Sequence, residues 1–134
     1  MTNLEIVKQK LYEKNASLVV LYANGECKEY YQNRINDIRD ILKENKDALK
    51  DAIVADKVIG KVAGSILTVA GVKQIYADVM SKYAIPVLEE SHIKYEYKTL
   101  TEYVINNAKT GMCPMENKYK DEKDINKIYE EMIW

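Results

Sequence analysis

Residues 52–55 read AIVA, an unbroken apolar run held between Asp51 and Asp56. It is long enough for a strand and too short for a buried helix. A strand apolar on both sides has no solvent face, so helices must cover it above and below. Such strands belong to parallel sheets reached by helical crossovers. This one requirement restricts the chain to an α/β architecture.

The flanking segments fit. Residues 2–14 predict a helix, with Thr2 and Glu5 as a capping box and Leu4, Val7 and Leu11 on one face. The run SLVVLYANGECKEYY predicts two strands near 16–22 and 26–31. Asn24-Gly25 would join them in a two-residue turn. Ile35, Ile38, Ile41 and Leu42 recur at helical spacing behind Asn33 as N-cap. After AIVA, Asp56 is expected to cap a helix running to about Ala70 and ended by Gly71. Residues 72–79 read as a strand, and Ser81 is expected to open a helix to about Ser91. IKYEYKTL (93–100) alternates as a half-exposed strand, and its lysines suit a sheet edge. A short helix from Thr101 to about Asn107 and a last one over 124–133 complete the order. The expectation is an α/β three-layer α/β/α sandwich with a mixed five-stranded sheet in one domain, residues 1–134. The crossover helices share one face, and the first and last helices cover the other.

Composition narrows the function classes. A chain of 134 residues can bury a real core. Net charge is −1 with acids and bases interspersed, which argues against an electrostatic nucleic-acid partner. No apolar run approaches the roughly 18 residues of a membrane span, and the N-terminus lacks a signal-peptide core. A cytoplasmic protein with its two cysteines reduced is the default, and a homo-oligomer is compatible with the sequence.

Ligands in such sheets bind beyond the C-terminal ends of the parallel strands. Three segments qualify: YYQNR (30–34), VADKVIGKVAG (54–64) and VMSKY (79–83). The second is richest. Asp56 and Lys57 would stand at a helix start whose amides can hold an anion, with Lys61 adding charge and Gly60 and Gly64 allowing close packing. Asp56 as a plain cap and the glycines as packing devices explain the same residues. The phosphate-loop glycine pattern is absent. In TGMCPMENK (110–118), Cys113 precedes Pro114 and reads as the N-cap of a short helix, where a thiolate is stabilised. Glu116 could bond the cap backbone or oppose that thiolate, and Gly111 permits a tight approach. Cys113 as a small buried hydrophobe is the plainer reading. Cys27 on the hairpin reads as packing, His92 as a surface or capping residue, and Tyr95, Tyr97 and Tyr103 as packing aromatics. Residues 116–124, ENKYKDEKD, read as a solvated surface.

The strings AIVADKVIGKVAG, GVKQIYADVMS and TGMCPMENK resemble the family known as domain of unknown function 1893. The resemblance implies the cytidine-deaminase-like fold, in agreement with the element order. Active members of that superfamily hold zinc through a His or Cys two residues before a Glu and a Pro-Cys-x-x-Cys. By element order these would fall near YQNRIND and ADKVIGK, where neither motif stands. One His and two Cys in the chain cannot furnish a zinc set at the needed spacing. The expectation is therefore a zinc-free, cofactor-free deaminase-like domain binding a small ligand, a nucleotide or other anion. Asp56, Lys57 and Cys113 are the catalytic candidates, and Lys61, Gly60 and Gly111 the ligand contacts, all meeting in one pocket. A thiol-based enzyme with Cys113 as nucleophile and Lys57 or Lys61 as charge partner is one alternative. A non-catalytic interaction module is the other.

Overall fold

Thr2 opens the first helix, α1 (Asn3–Glu13), its hydroxyl accepting from the Glu5 amide at 3.1 Å. Leu4, Val7 and Leu11 form its buried stripe. The molecule is seen in a computed structural model that describes residues 1–32, 35–106 and 108–133. Among these are six helices and five strands, which alternate from α2 to α5.

Strands β1 (Leu18–Leu21) and β2 (Cys27–Tyr30) form the hairpin, with Leu21 opposite Cys27. The turn is one residue longer than expected. The Tyr22 amide donates to the Glu26 carbonyl, enclosing Ala23, Asn24 and Gly25. Only Gly25 takes the left-handed conformation, at φ +93°. This is the three-residue loop with a glycine bulge, whereas the two-residue turn needs positive φ at both central positions. Asn24 instead accepts the Glu26 amide through its side chain.

Helix α2 (Asn36–Glu44) buries Ile38 and Leu42; the Asn33 cap expected for it lies outside the described residues. Strand β3 (Ile53–Ile59) carries the last three residues of AIVA and continues past it. Helix α3 (Lys61–Val69) then leads to β4 (Gln74–Ser81), helix α4 (Ile85–Glu90) and β5 (Lys94–Thr101). Short helix α5 (Pro114–Tyr119) and α6 (Ile125–Ile133) end the chain. The sheet order is β2-β1-β3-β4-β5. Strands β3, β4 and β5 run parallel, and β1 is antiparallel to both its neighbours. β5 is an edge, as its lysines suggested.

AIVA is covered on both sides. Ile53 and Ala55 pack with Val19, Tyr76 and the α1 stripe. Val54 faces the larger core of Ile38, Leu42, Ile66, Leu67, Ile75, Leu88 and Ile128. A fully buried side chain such as Ile66 contributes about 2 kcal/mol by removal from water. The last helix does not join α1, contrary to expectation. It packs against α3 and α2, because α3 is buried from Lys61 through Leu67 and needs an apolar neighbour outside the sheet as well.

Four further expectations are corrected. Asp56 caps no helix: β3 runs on, pairing Ile59 with Met80, and α3 starts after Gly60. Ladder bonds to β4 outcompete a cap there, and the Asp56 carboxylate takes the Val58 amide two residues on. Ser81 ends β4 instead of opening a helix. Pro86 sets the helix start at Ile85. Thr101 is the last residue of β5, and the described residues of the segment 102–106 form no helix. A bend leads to an isolated bridge between Ile105 and Met112. Finally, ENKYKDEKD is not all solvated, since Glu116 and Tyr119 are buried.

Three helices end in the same backbone device. The residue after the C-cap is left-handed at Asn15, Gly71 and His92. The next amide then reaches back five residues, as Ile93 does to the Leu88 carbonyl. His92 is thus a capping residue.

Candidate functional site

Beyond the C-terminal ends of β3 and β4, the chain closes around one carboxylate. Glu116 on α5 is 2% exposed. Its Oε1 accepts the Lys61 amide at 2.7 Å and the Ser81 hydroxyl at 3.1 Å, and its Oε2 accepts the Val104 amide. The Lys61 amide is the first of α3, so the positive end of that helix faces a full negative charge. Helix α3 has no capping side chain of its own, and Glu116 supplies the cap from a distance of fifty-five residues in sequence. Gly60 makes room for it. A Cβ there would meet Val104 Cγ2 at 2.4 Å and Glu116 Oε1 at 2.6 Å.

The place expected to hold an anion at the α3 start therefore holds the protein's own carboxylate. It also joins the two sequence motifs. Cys113, the N-cap of α5, donates its amide to the Val104 carbonyl at 2.7 Å, and Pro114 begins the helix as expected. The Cys113 thiol caps nothing and is half-buried. Gly111 accepts the Asn106 amide, in open space. The lysines proposed as charge partners are engaged elsewhere: Lys61 Nζ donates to the Lys120 carbonyl at 3.2 Å and Lys57 Nζ to Asn15 Oδ1 at 3.3 Å. Asp56 and Lys57 do not form one floor. Asp56 is buried and Lys57 exposed, the latter reaching the end of α1.

Asp56 has different company. Its Oδ1 takes the Val58 amide at a long 3.3 Å. Burial pushes its carboxyl up to about 7; the Val58 and Lys57 amides oppose the shift and the Asp37 charge adds to it. Asp37, in the first turn of α2, is also buried. It is held by Gln32, whose backbone amide donates to Oδ2 at 3.0 Å and whose Nε2 donates to Oδ1 at 2.7 Å. The same Nε2 reaches Asp40 at 2.9 Å.

Asp37 and Asp40 line a groove of about 510 Å³ between the hairpin and α2. Its other walls include Tyr22, Tyr30, Glu26, Lys28 and Glu44. The Tyr22 and Tyr30 hydroxyls are hydrogen-bonded to each other, and burial with that bond raises the Tyr22 phenol. Four carboxylates face one lysine, which already stands 3.7 Å from Glu26. None of Asp56, Lys57 or Cys113 lines it. A second cavity, about 570 Å³ between α2, α5 and α6, is walled by Arg39, Lys118, Glu122, Lys127 and Glu131. Among the described residues no group of three or more His, Cys, Asp or Glu is arranged to hold a metal ion. Among the described residues no helix is long and apolar enough to cross a membrane.

Sequence reasoning did not single out Val104 or Asp37, and it gave Ser81 and Glu116 other roles; of its three candidate segments, YYQNR supplies Tyr30 and Gln32 to the groove. One signal was available. Residues 60–69 form an apolar helix with glycine where a capping side chain belongs, so an acceptor had to come from elsewhere.

Comparison with known proteins agrees with this layout. No curated protein matches the chain. A crystal structure of a DUF1893 family protein (TM1506) from Thermotoga maritima superposes with a TM-score of 0.86 at 25% identity, covering 99% of this chain and 90% of that one. The family model described as domain of unknown function (DUF1893) matches residues 6–133, and the chain belongs to that family.

Proposed function

We propose that this is a zinc-free, cytoplasmic domain of the deaminase-like three-layer type that binds a small amine-bearing ligand between the hairpin and α2. The lining of that groove carries the reading. Asp37 and Asp40 are pinned by Gln32 with their charge toward a space large enough for a nucleoside-sized molecule. Four carboxylates against one lysine disfavour a phosphate, so the expected anion gives way to an ammonium or exocyclic amine. Asp56 acts from behind through its charge on Asp37. Gly60, Lys61 and Cys113 then serve the closure of the α3 end, with Lys57 and Gly111 outside the groove.

Cytidine and its 5′-monophosphate serve as probes in ligand-observed NMR. Cytidine should bind and the monophosphate should bind roughly tenfold more weakly or not at all. Asp40→Asn should weaken cytidine binding without unfolding the protein. Tighter binding of the monophosphate, or binding of neither probe, would overturn the reading.

A further inference from the structure

We propose that the β5 edge is an interface for a second copy of this chain, paired antiparallel about a two-fold axis at Tyr97. β5 is eight residues long and closes the sheet opposite the hairpin. Its inner side pairs with β4 from Lys94 to Thr101, and among the described residues its outer side meets no further strand. Tyr97 and Leu100 are 39% and 36% exposed. The Tyr95 and Tyr97 rings stack with centroids 6.5 Å apart, giving the edge an ordered aromatic surface. A long edge of this kind is a template for strand addition.

Charge selects both the partner and the register. Lysines on an edge ordinarily repel a second copy, but here Glu96 stands between Lys94 and Lys98. Residues directly opposite in an antiparallel pair point to the same face, so two-fold registers centre on a residue. Centred on Glu96, the pairing sets Glu96 against itself and Lys94 against Lys98. Centred on Lys98, it sets Lys98 against itself. Centred on Tyr95, it is complementary but overlaps only residues 94–96 of the strand. Centred on Tyr97, it overlaps 94–100 and places Glu96 opposite the second copy's Lys98, twice. It also sets the two Tyr97 rings against each other, a favourable cross-strand pair. One register alone combines length with opposite charges, which is how a specific edge differs from a sticky one. The dimer would join two sheets into one of ten strands and leave the groove at the hairpin end open.

Sedimentation velocity under reducing conditions, over a concentration series, tests this. The wild type should sediment at twice the 15.5 kDa chain mass at high concentration and dissociate on dilution. Lys98→Glu should weaken the dimer roughly tenfold by facing Glu96 with like charge. The double change Glu96→Lys with Lys98→Glu should restore it, because the pairs are exchanged and not removed. Circular dichroism confirms that each variant is folded. A wild type that remains monomeric throughout, or a dimer indifferent to Lys98→Glu, overturns the proposal. So does a double variant no tighter than the single one. Each readout is independent of cytidine binding.

Discussion

Glu116 and Asp56 are both buried carboxylates, 2% and 7% exposed; the first closes the start of α3 and the second lies within β3. Glu116 meets two backbone amides and a hydroxyl at the positive end of α3. Asp56 meets the Val58 amide at a long 3.3 Å, the Lys57 amide and the charge of Asp37. Burying a carboxylate is costly unless donors replace its water. The first site replaces that water and fastens three segments together. The second leaves the charged form poorly served, a condition that favours a site of chemistry or ligand coupling over a brace.

Removing the brace should have the largest effect. Glu116→Ala leaves the Lys61 and Val104 amides and the Ser81 hydroxyl without their acceptor in a buried site. At 1–3 kcal/mol for each orphaned group, the loss should be about 5 kcal/mol, measured by urea unfolding. A loss below 1 kcal/mol would mean that water seats those donors equally well.

Asp56 should respond in the opposite sense. Its folded value, about 7, lies above the unfolded carboxyl range. Between about pH 4 and pH 7 the folded state therefore holds a proton that the unfolded state has released, and stability falls as pH rises through that window. Above pH 7 the full penalty applies, on the order of 3–4 kcal/mol. Asp56→Asn should stabilise the protein at pH 8 by a large part of that amount and have little effect at pH 4. Chemical unfolding of both forms at the two pH values checks this. A variant equally destabilised at both would show that the carboxylate is well solvated by its neighbours.

Gly60→Ala comes next, at about 2–3 kcal/mol of destabilisation. Its Cβ overlaps Val104 and Glu116, and Glu116 is held by three bonds and cannot yield. The Gly60 backbone is extended, so the cost is contact and not strain. If Gly60→Ala and Glu116→Ala are combined, the glycine effect should shrink, because the clashing carboxylate is gone. Ser81→Ala should cost least, about 1–2 kcal/mol. The hydroxyl donates to Glu116 and also accepts the Tyr83 amide.

The two carboxylates also show what the sequence made legible. AIVA demanded cover on both faces, and the hydrophobic period gave β4, β5, α1 and α6 close to their observed limits. Those signals are local or repeat along one element. Asp56 looked like a helix cap because Asp before an apolar helix usually is one. Pairing with β4, a contact set by residues 74–81, extended the strand instead. Glu116 sat in a charged run that reads as solvent-facing, and its partners come from positions 61, 81 and 104. Periodicity carries no information about such meetings. The hairpin differed by one residue because Asn24 uses its side chain for the Glu26 amide, a choice open to either turn.

The direct test of the contrast is the carboxyl-carbon NMR titration of Asp56 in uniformly labelled protein, assigned by its absence in Asp56→Asn. A midpoint of about 7 is expected. A midpoint near 4 would contradict that expectation, placing Asp56 among ordinary, well-served carboxylates.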